Sequence, residues 1–228
     1  MLSVDLKKKI NNYSTRDFVY EVLRENIISL KLEPGRNISE KEISEWLQVS
    51  RTPVREAFVK LTQEELLEVY PQRGTFISLI DMYHVEEARF IREHLERAAV
   101  RVACENFSNE HILKLEANIT MQKLCVEEKN YTKLFELDEE FHYTITMGCG
   151  KERIWAVIQQ MNAHLNRIRM LSLAANYNWD LILTQHEGIT LAIKEKNPNL
   201  AEKTMEDHLK KLTFEQEDLK NEYKKYFK

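Results

Sequence analysis

Val49-Ser50-Arg51-Thr52-Pro53-Val54-Arg55-Glu56-Ala57-Phe58-Val59-Lys60-Leu61 is the stretch that decides how this chain is read. Val54, Ala57, Phe58 and Leu61 recur at i, i+3, i+4 and i+7, which predicts an amphipathic helix with one buried face. The run Ser50-Arg51-Thr52 places a capping hydroxyl at its start. Pro53 falls in the first turn, where a missing N–H costs no hydrogen bond. Arg51 and Arg55 project from the same N-terminal turn. Hydroxyls, guanidinium groups and free backbone N–H groups together suit contacts to phosphate and to base edges. The stretch is read as a DNA-recognition helix.

Upstream, Ser14-Thr15-Arg16-Asp17 is a capping-box pattern, and it opens a helix with Phe18, Val19, Val22, Leu23, Ile27 and Leu30 on one stripe. Pro34-Gly35 ends that helix. Ser39-Glu40-Lys41-Glu42 is a second capping box, starting a short helix through Ile43, Trp46 and Leu47. Only Gln48-Val49 separates it from the next helix, the spacing of a helix-turn-helix. Downstream, Leu67-Glu68-Val69-Tyr70 and Thr75-Phe76-Ile77-Ser78 alternate apolar and polar around Pro71-Gln72-Arg73-Gly74, a β-hairpin pattern. Arg73 at the hairpin tip is placed to enter a minor groove or touch phosphate. Residues 1–79 thus read as a winged helix-turn-helix, three helices plus a hairpin wing.

Charge constrains this reading. Residues 1–80 carry 12 Lys and Arg against 12 Asp and Glu, and the whole chain has a net charge of −4. The positive potential must be local, on Arg51, Arg55, Lys60 and Arg73, so recognition leans on geometry. Hydrophobic residues at 43% and charged ones at 31% fit a folded globular chain, and the short broken apolar runs exclude a bilayer span. Met1 to Lys7 has no signal-type apolar core, which points to a cytoplasmic protein. Cys104, Cys125 and Cys149 share no metal-type spacing and are expected to be reduced thiols in or near the core.

From Thr75 to Met147 there is neither glycine nor proline. Pattern divides the second half into helices at about 81–104, 108–127, 130–147, 151–173, 178–196 and 198–224, an all-α antiparallel bundle over residues 80–228. The charged end, Glu215 to Lys228, reads as a solvated helix face that frays. Asp138 and His142 lie one turn apart on an apolar stripe with Leu134, Phe135, Phe141 and Ile145. His186 lies on the stripe of Ile182, Leu183, Ile189 and Ile193, and His208 on that of Ala201, Met205 and Leu212. An unpaired buried carboxylate costs several kcal/mol, and a cation is the simplest relief. One acid and three imidazoles suit a divalent transition metal, zinc or nickel ahead of magnesium.

Taken singly, each histidine reads as a core residue bonded to a carbonyl, and Asp138 as the partner of an arginine; four stripe positions in register favour metal. Arg92 also lies on an apolar stripe, with Val85, Ala88, Leu95, Ala99 and Val102. Its partner is either Glu96, one turn on, or a carboxylate ligand held against the metal. His84 and His111 are placed at exposed helix starts, and His164 is an outside candidate for the same cavity.

Val49 to Ala57, with Pro34-Gly35 before it and Arg73-Gly74 after it, resembles the winged-helix signature of the GntR family of bacterial regulators. Arg92-x-x-Leu95-Glu96-x-x-Ala99, Asp138-x-x-Phe141-His142, His186 and His208 resemble the FCD effector domain of its FadR-like branch. The resemblance implies a homodimeric transcription factor whose DNA affinity is altered by a small molecule, often a carboxylate, bound beside a metal. It matches Lys41, Ser50, Arg51, Thr52, Arg55, Arg73 and Gly74 to DNA-contacting positions. It matches Asp138, His142, His186 and His208 to metal ligands, while Arg92 is expected to contact the effector. Glu65 stands where the family usually has glycine before the first wing strand, and Lys151 where it commonly has asparagine. The expectation is a repressor on a pseudo-palindromic operator. The rivals are a metal-dependent hydrolase-type enzyme using the Asp/His cluster, and an architectural DNA binder with an inert helical domain.

Overall fold

The computed structural model describes residues 14–175 and 179–228, without the side chains of 212–215. Met1 to Lys7, the break at Asn176-Tyr177-Asn178 and the Leu212 side chain therefore lie outside the described residues. The chain is mainly α. Its first part comprises α1 (Thr15–Ile28), β1 (Asn37–Ile38), α2 (Glu40–Leu47), α3 (Arg51–Gln63), β2 (Leu67–Tyr70) and β3 (Gly74–Ile77). Ser14 caps α1 by accepting from the Asp17 N–H at 3.1 Å, and Ser39 caps α2 by accepting from Glu42 N–H at 3.1 Å. Gln48 takes the left-handed conformation (φ +53°) that reverses the chain between α2 and α3.

Val54, Ala57, Phe58 and Leu61 of α3 are buried against Phe18, Val22, Leu23 and Ile27 of α1. Burial on this scale is worth about 1.5–3 kcal/mol per large side chain. The wing pairs Leu67 with Ile77 and Tyr70 with Gly74. Gly74 has φ +114°, and a Cβ there would lie 2.7 Å from the Asn37 amide. The short β1, which the sequence did not announce, adds to β3 through Asn37–Phe76 and Ile38–Thr75 and gives the order β1-β3-β2.

The second part is a helical bundle: α4 (Met82–Glu105), α5 (Asn109–Glu127), α6 (Tyr131–Gly148), α7 (Glu152–Met161), α8 (Ala163–Ala174), α9 (Trp179–Lys194) and α10 (Pro198–Glu222). The expected single helix over 151–173 is two. It breaks at the fully buried Asn162, which ends α7 and starts α8. The break lets α7 lie on α4 and α6 while α8 turns inward to reach α10 and α1. A frayed end is also corrected. After α10 the chain makes a 3-10 turn at Lys224–Tyr226 and pairs Phe227 with Ile80 as a parallel bridge. Apolar Tyr226 and Phe227, masked by the lysines around them, drive that return. The three cysteines are free, Cys104 and Cys125 buried and Cys149 half-buried. Among the described residues no helix is long and apolar enough to cross a membrane.

Candidate functional site

The α3 tip presents Ser50, Arg51 and Thr52, all exposed. Ser50 sits at the N-cap position but makes no side-chain capping bond, so the expected capping hydroxyl faces outward instead. Lys41 and Arg55 are about two-thirds exposed and both meet acids of α2. Arg55 Nε lies 3.0 Å from Glu40 Oε1 and its NH2 3.1 Å from Oε2, a bidentate pair. Lys41 is 3.9 Å from Glu45. Arg73 is exposed at the wing tip, its guanidinium 5.4 Å from the Tyr70 ring centre, beside Gly74. Lys60 departs from expectation: its ammonium sits 3.4 Å over the ring of Tyr20 on α1, a cation–π contact away from the α3 tip. The near-neutral first part thus concentrates its positive charge by pairing some cations with acids and leaving Arg51 and Arg73 without an ion pair among the described residues.

In the bundle, α6, α9 and α10 bring Asp138, His142, His186 and His208 together, all buried, with ligand atoms within 4.8 Å of one another. Their hydrogen bonds fix which ring nitrogens carry protons. Leu137 O accepts from Asn118 Nδ2 at 3.0 Å, and Asn118 Oδ1 accepts from Gln122 Nε2 at 2.6 Å. Gln122 Oε1 is then left to accept from His186 Nδ1–H at 2.9 Å. His208 Nδ1 meets Gln185 Oε1 at 3.1 Å, and His142 Nδ1 meets the Glu96 carboxylate, an acceptor in each case. Each Nε2 consequently carries a lone pair, and all three point at one another and at Asp138.

His186 Nε2 is buried with no hydrogen-bond partner, and His142 and His208 Nε2 face each other at 3.1 Å. Lone pairs so placed repel unless a cation lies between them. Neighbouring donors around an ion with bonds of about 2.1 Å lie about 3 Å apart, so the donor set fits a divalent transition metal. Burial pushes the His186 imidazole down to about 3 and His208 well below its ordinary value, which keeps both neutral and able to ligate. Burial would raise the Asp138 carboxyl, but the Arg169 guanidinium beside it outweighs that and holds it far below the usual range. Phe141 stacks on His186 with centroids 4.0 Å apart and fixes its ring plane.

Of the two partners expected for Arg92, the structure shows Glu96. Its Nε donates to Glu96 at 2.5 Å, while its buried NH2 has no hydrogen-bond partner and lies 3.9 Å from Asp138. Asp138 likewise has its arginine, Arg169, which also meets Glu139 at 2.5 Å. Arg92, Arg169, Asp138 and His208 line a cavity of about 60 Å³ together with Leu165, Leu173, Ile182 and Leu209. Guanidinium groups and apolar side chains around one cavity suit a small carboxylate. Sequence reading missed Arg169; its only signal is an arginine amid the apolar run Leu165, Ile168, Met170 and Leu171. Lys151 is exposed and away from this cavity.

His164 is not in that cavity. With Glu65 and the half-buried His84 it forms a second cluster, between the wing and the bundle. There His164 Nδ1 accepts the Asp81 N–H at 2.9 Å and faces Arg167 NH2 at 2.8 Å, so the proton sits on Nε2. A protonated Nε2 cannot ligate, and this cluster is no metal site. Glu65 has φ +58°, a backbone conformation that glycine adopts without strain.

Comparison with known proteins agrees with both halves. Residues 15–77 match the model described as bacterial regulatory proteins, gntR family, and residues 87–211 match the FCD domain. The chain is 32% identical over 209 residues to the HTH-type transcriptional repressor RspR of Escherichia coli, covering 92% of each. It is 26% identical over 225 residues to the gluconate operon transcriptional repressor of Bacillus licheniformis, covering 93% of this chain and 89% of that one. E. coli McbR/YncC shares the fold, with a TM-score of 0.79 at 20% identity over 92% of this chain and 99% of the other. The chain belongs to the GntR family, as a DNA-binding transcriptional regulator rather than an enzyme, with a gntR-type winged helix followed by an FCD domain.

Proposed function

We propose that this regulator is a cytoplasmic, homodimeric repressor of the FadR-like branch whose operator affinity is set by a small carboxylate bound beside a divalent metal in the bundle. The division falls at 79/80, with DNA binding before it and effector binding and dimerisation after it. The observation that carries the effector reading is the convergence of three Nε2 lone pairs on Asp138, next to the unpartnered Arg92 NH2. Asp138, His142, His186 and His208 would hold zinc or nickel, and the metal would supply a Lewis-acidic point for a carboxylate oxygen. Arg92 and Arg169 would orient that carboxylate and offset its charge. One relative is a repressor of a gluconate operon, and gluconate is itself a carboxylate, which supports the ligand class.

At the other end, Lys41, Ser50, Arg51, Thr52, Arg55, Arg73 and Gly74 form the DNA face. Two such faces in a twofold dimer would read a pseudo-palindrome. Coupling between the two ends is expected at about 1–3 kcal/mol. The test is elemental analysis of protein purified without chelators, then footprinting on selected operator DNA with metal and a panel of small organic acids. An operator footprint that neither chelation nor any acid shifts would leave an architectural DNA binder with an inert bundle.

A further inference from the structure

The segment Ser78–Asp81 joins β3 of the wing to α4 of the bundle, and it is held on every side. Ser78 N–H donates to Leu66 O at 3.1 Å, and Ser78 Oγ donates to Glu65 O at 2.6 Å. Arg167 of α8 donates from NH1 to Ser78 O at 2.6 Å, and its NH2 reaches Ser78 Oγ at 3.2 Å and Leu79 O at 3.5 Å. Ile80 N–H donates to Tyr226 O at 2.8 Å, and Lys228 N–H donates back to Ile80 O at 3.0 Å. Asp81 N–H donates to His164 of α8. Ile80 is fully buried in a cluster of Leu165 and Ile168 from α8, Leu219 from α10, and Tyr226.

Arg167 is fully buried and has no carboxylate within ion-pair distance among the described residues. Burial lowers its guanidinium to about 9. A buried cation without a counter-ion is costly, and here carbonyls of the joining segment accept from both terminal nitrogens while Nε has no hydrogen-bond partner. The segment after α10 adds side-chain ties to the winged helix: Lys225 to Glu33 at 3.3 Å and Lys228 to Glu68 at 4.0 Å.

The same two helices carry the candidate effector cavity. Arg169, two residues from Arg167, grips Asp138, and His208 lies on α10 ahead of the returning segment. Leu165 faces the cavity and also packs in the Ile80 cluster. We infer that α8 and α10 are the coupling arms of this regulator, with Arg167 as a positioning residue and Tyr226–Lys228 as a strap that locks the joining segment Ser78–Asp81. A shift of either helix at the cavity is delivered directly to the base of the wing. The lock stands on its own contacts; only its use by an effector rests on the function proposed above.

The test is amide hydrogen exchange on the full chain, with and without Zn²⁺ alone, compared with Arg167→Gln, Arg167→Lys and a chain cut after Tyr223. In the parent protein the Ser78, Ile80 and Asp81 amides are expected to exchange slowly. In Arg167→Gln and the cut chain they should exchange about tenfold faster or more, with Leu115 and Phe141 in the bundle core unchanged. Arg167→Lys should restore part of the protection. Zn²⁺ should slow the joining-segment amides further in the parent and not in the uncoupled variants. If both uncoupled chains keep full protection there, the lock is wrong. If Zn²⁺ binds stoichiometrically without touching those amides, the lock stands and its use for signalling is wrong. Failure of Zn²⁺ to bind, with the lock effects intact, removes the metal reading alone.

Discussion

Gln122→Leu isolates the step on which the metal reading depends. Gln122 lies fully buried on α5, contributes nothing to the cluster directly, and fixes the His186 tautomer through a relay ending on Leu137 O. Leucine fills similar space but offers no acceptor, so the His186 Nδ1–H and Asn118 Oδ1 are both stranded. Stranding a buried polar atom costs about 1–3 kcal/mol, so the two together cost about 2–6 kcal/mol, within the stability of many domains of this size. The imidazole then gains by moving its proton to Nε2, where no lone pair remains for a metal. Partners of this kind are worth roughly 10–100-fold in metal affinity, or about 1.4–2.8 kcal/mol. Competition of the metal-free protein against a chromophoric chelator for Zn²⁺ reads the change, with circular dichroism to confirm the fold. Gln122→Glu, which keeps an oxygen acceptor for His186, is expected to retain most of the affinity. A folded Gln122→Leu protein that binds Zn²⁺ as tightly as the parent would refute the tautomer reasoning, and with it the assignment of His186 as a ligand.

Other outcomes follow from single contacts. Arg51→Ala should weaken operator binding by about 1–3 kcal/mol and binding to random DNA much less; equal losses in a gel-shift comparison would make Arg51 a phosphate clamp only. Glu65→Gly should raise thermal stability by up to about 1 kcal/mol, because φ +58° strains a residue with a Cβ, while Glu65→Val should lower it. A thermal melt ranking the two the other way would refute the strain. Burial lowers His164 to about 3 in the folded state, so the unfolded chain takes up its proton first. The stability this neutral imidazole allows is present above about pH 6.5 and is lost as pH falls from there toward about 3. Urea titrations between about pH 7.5 and pH 5 should show the slope, reduced in His164→Asn, and an unreduced slope would assign it to other groups.

The DNA-binding half was legible because its information is local. Capping residues, the α3 stripe, Pro34-Gly35 and the Arg73-Gly74 tip each act within a few residues, and the observed α1, α2, α3 and wing sit where those signals fall. The four candidate ligands were legible for a related reason: polar residues on apolar stripes must be buried, and burial demands a partner. What the sequence could not supply is which partner arrives from another helix. Arg169 against Asp138, the Gln122 and Gln185 acceptors and the Glu96–His142 contact all join residues far apart in the chain. No periodicity encodes such distances. Asn162 broke a helix that reads as continuous, because packing α8 against α1 and α10 outweighed local preference. The segment after α10 went the same way: its lysines read as solvated, yet Tyr226 and Phe227 found apolar cover beside Ile80, which exists only once the bundle has closed. Sequence alone determined the element types and which side chains must be inside; tertiary packing decided who meets whom, since burial is a property of a residue and partnership a property of the fold.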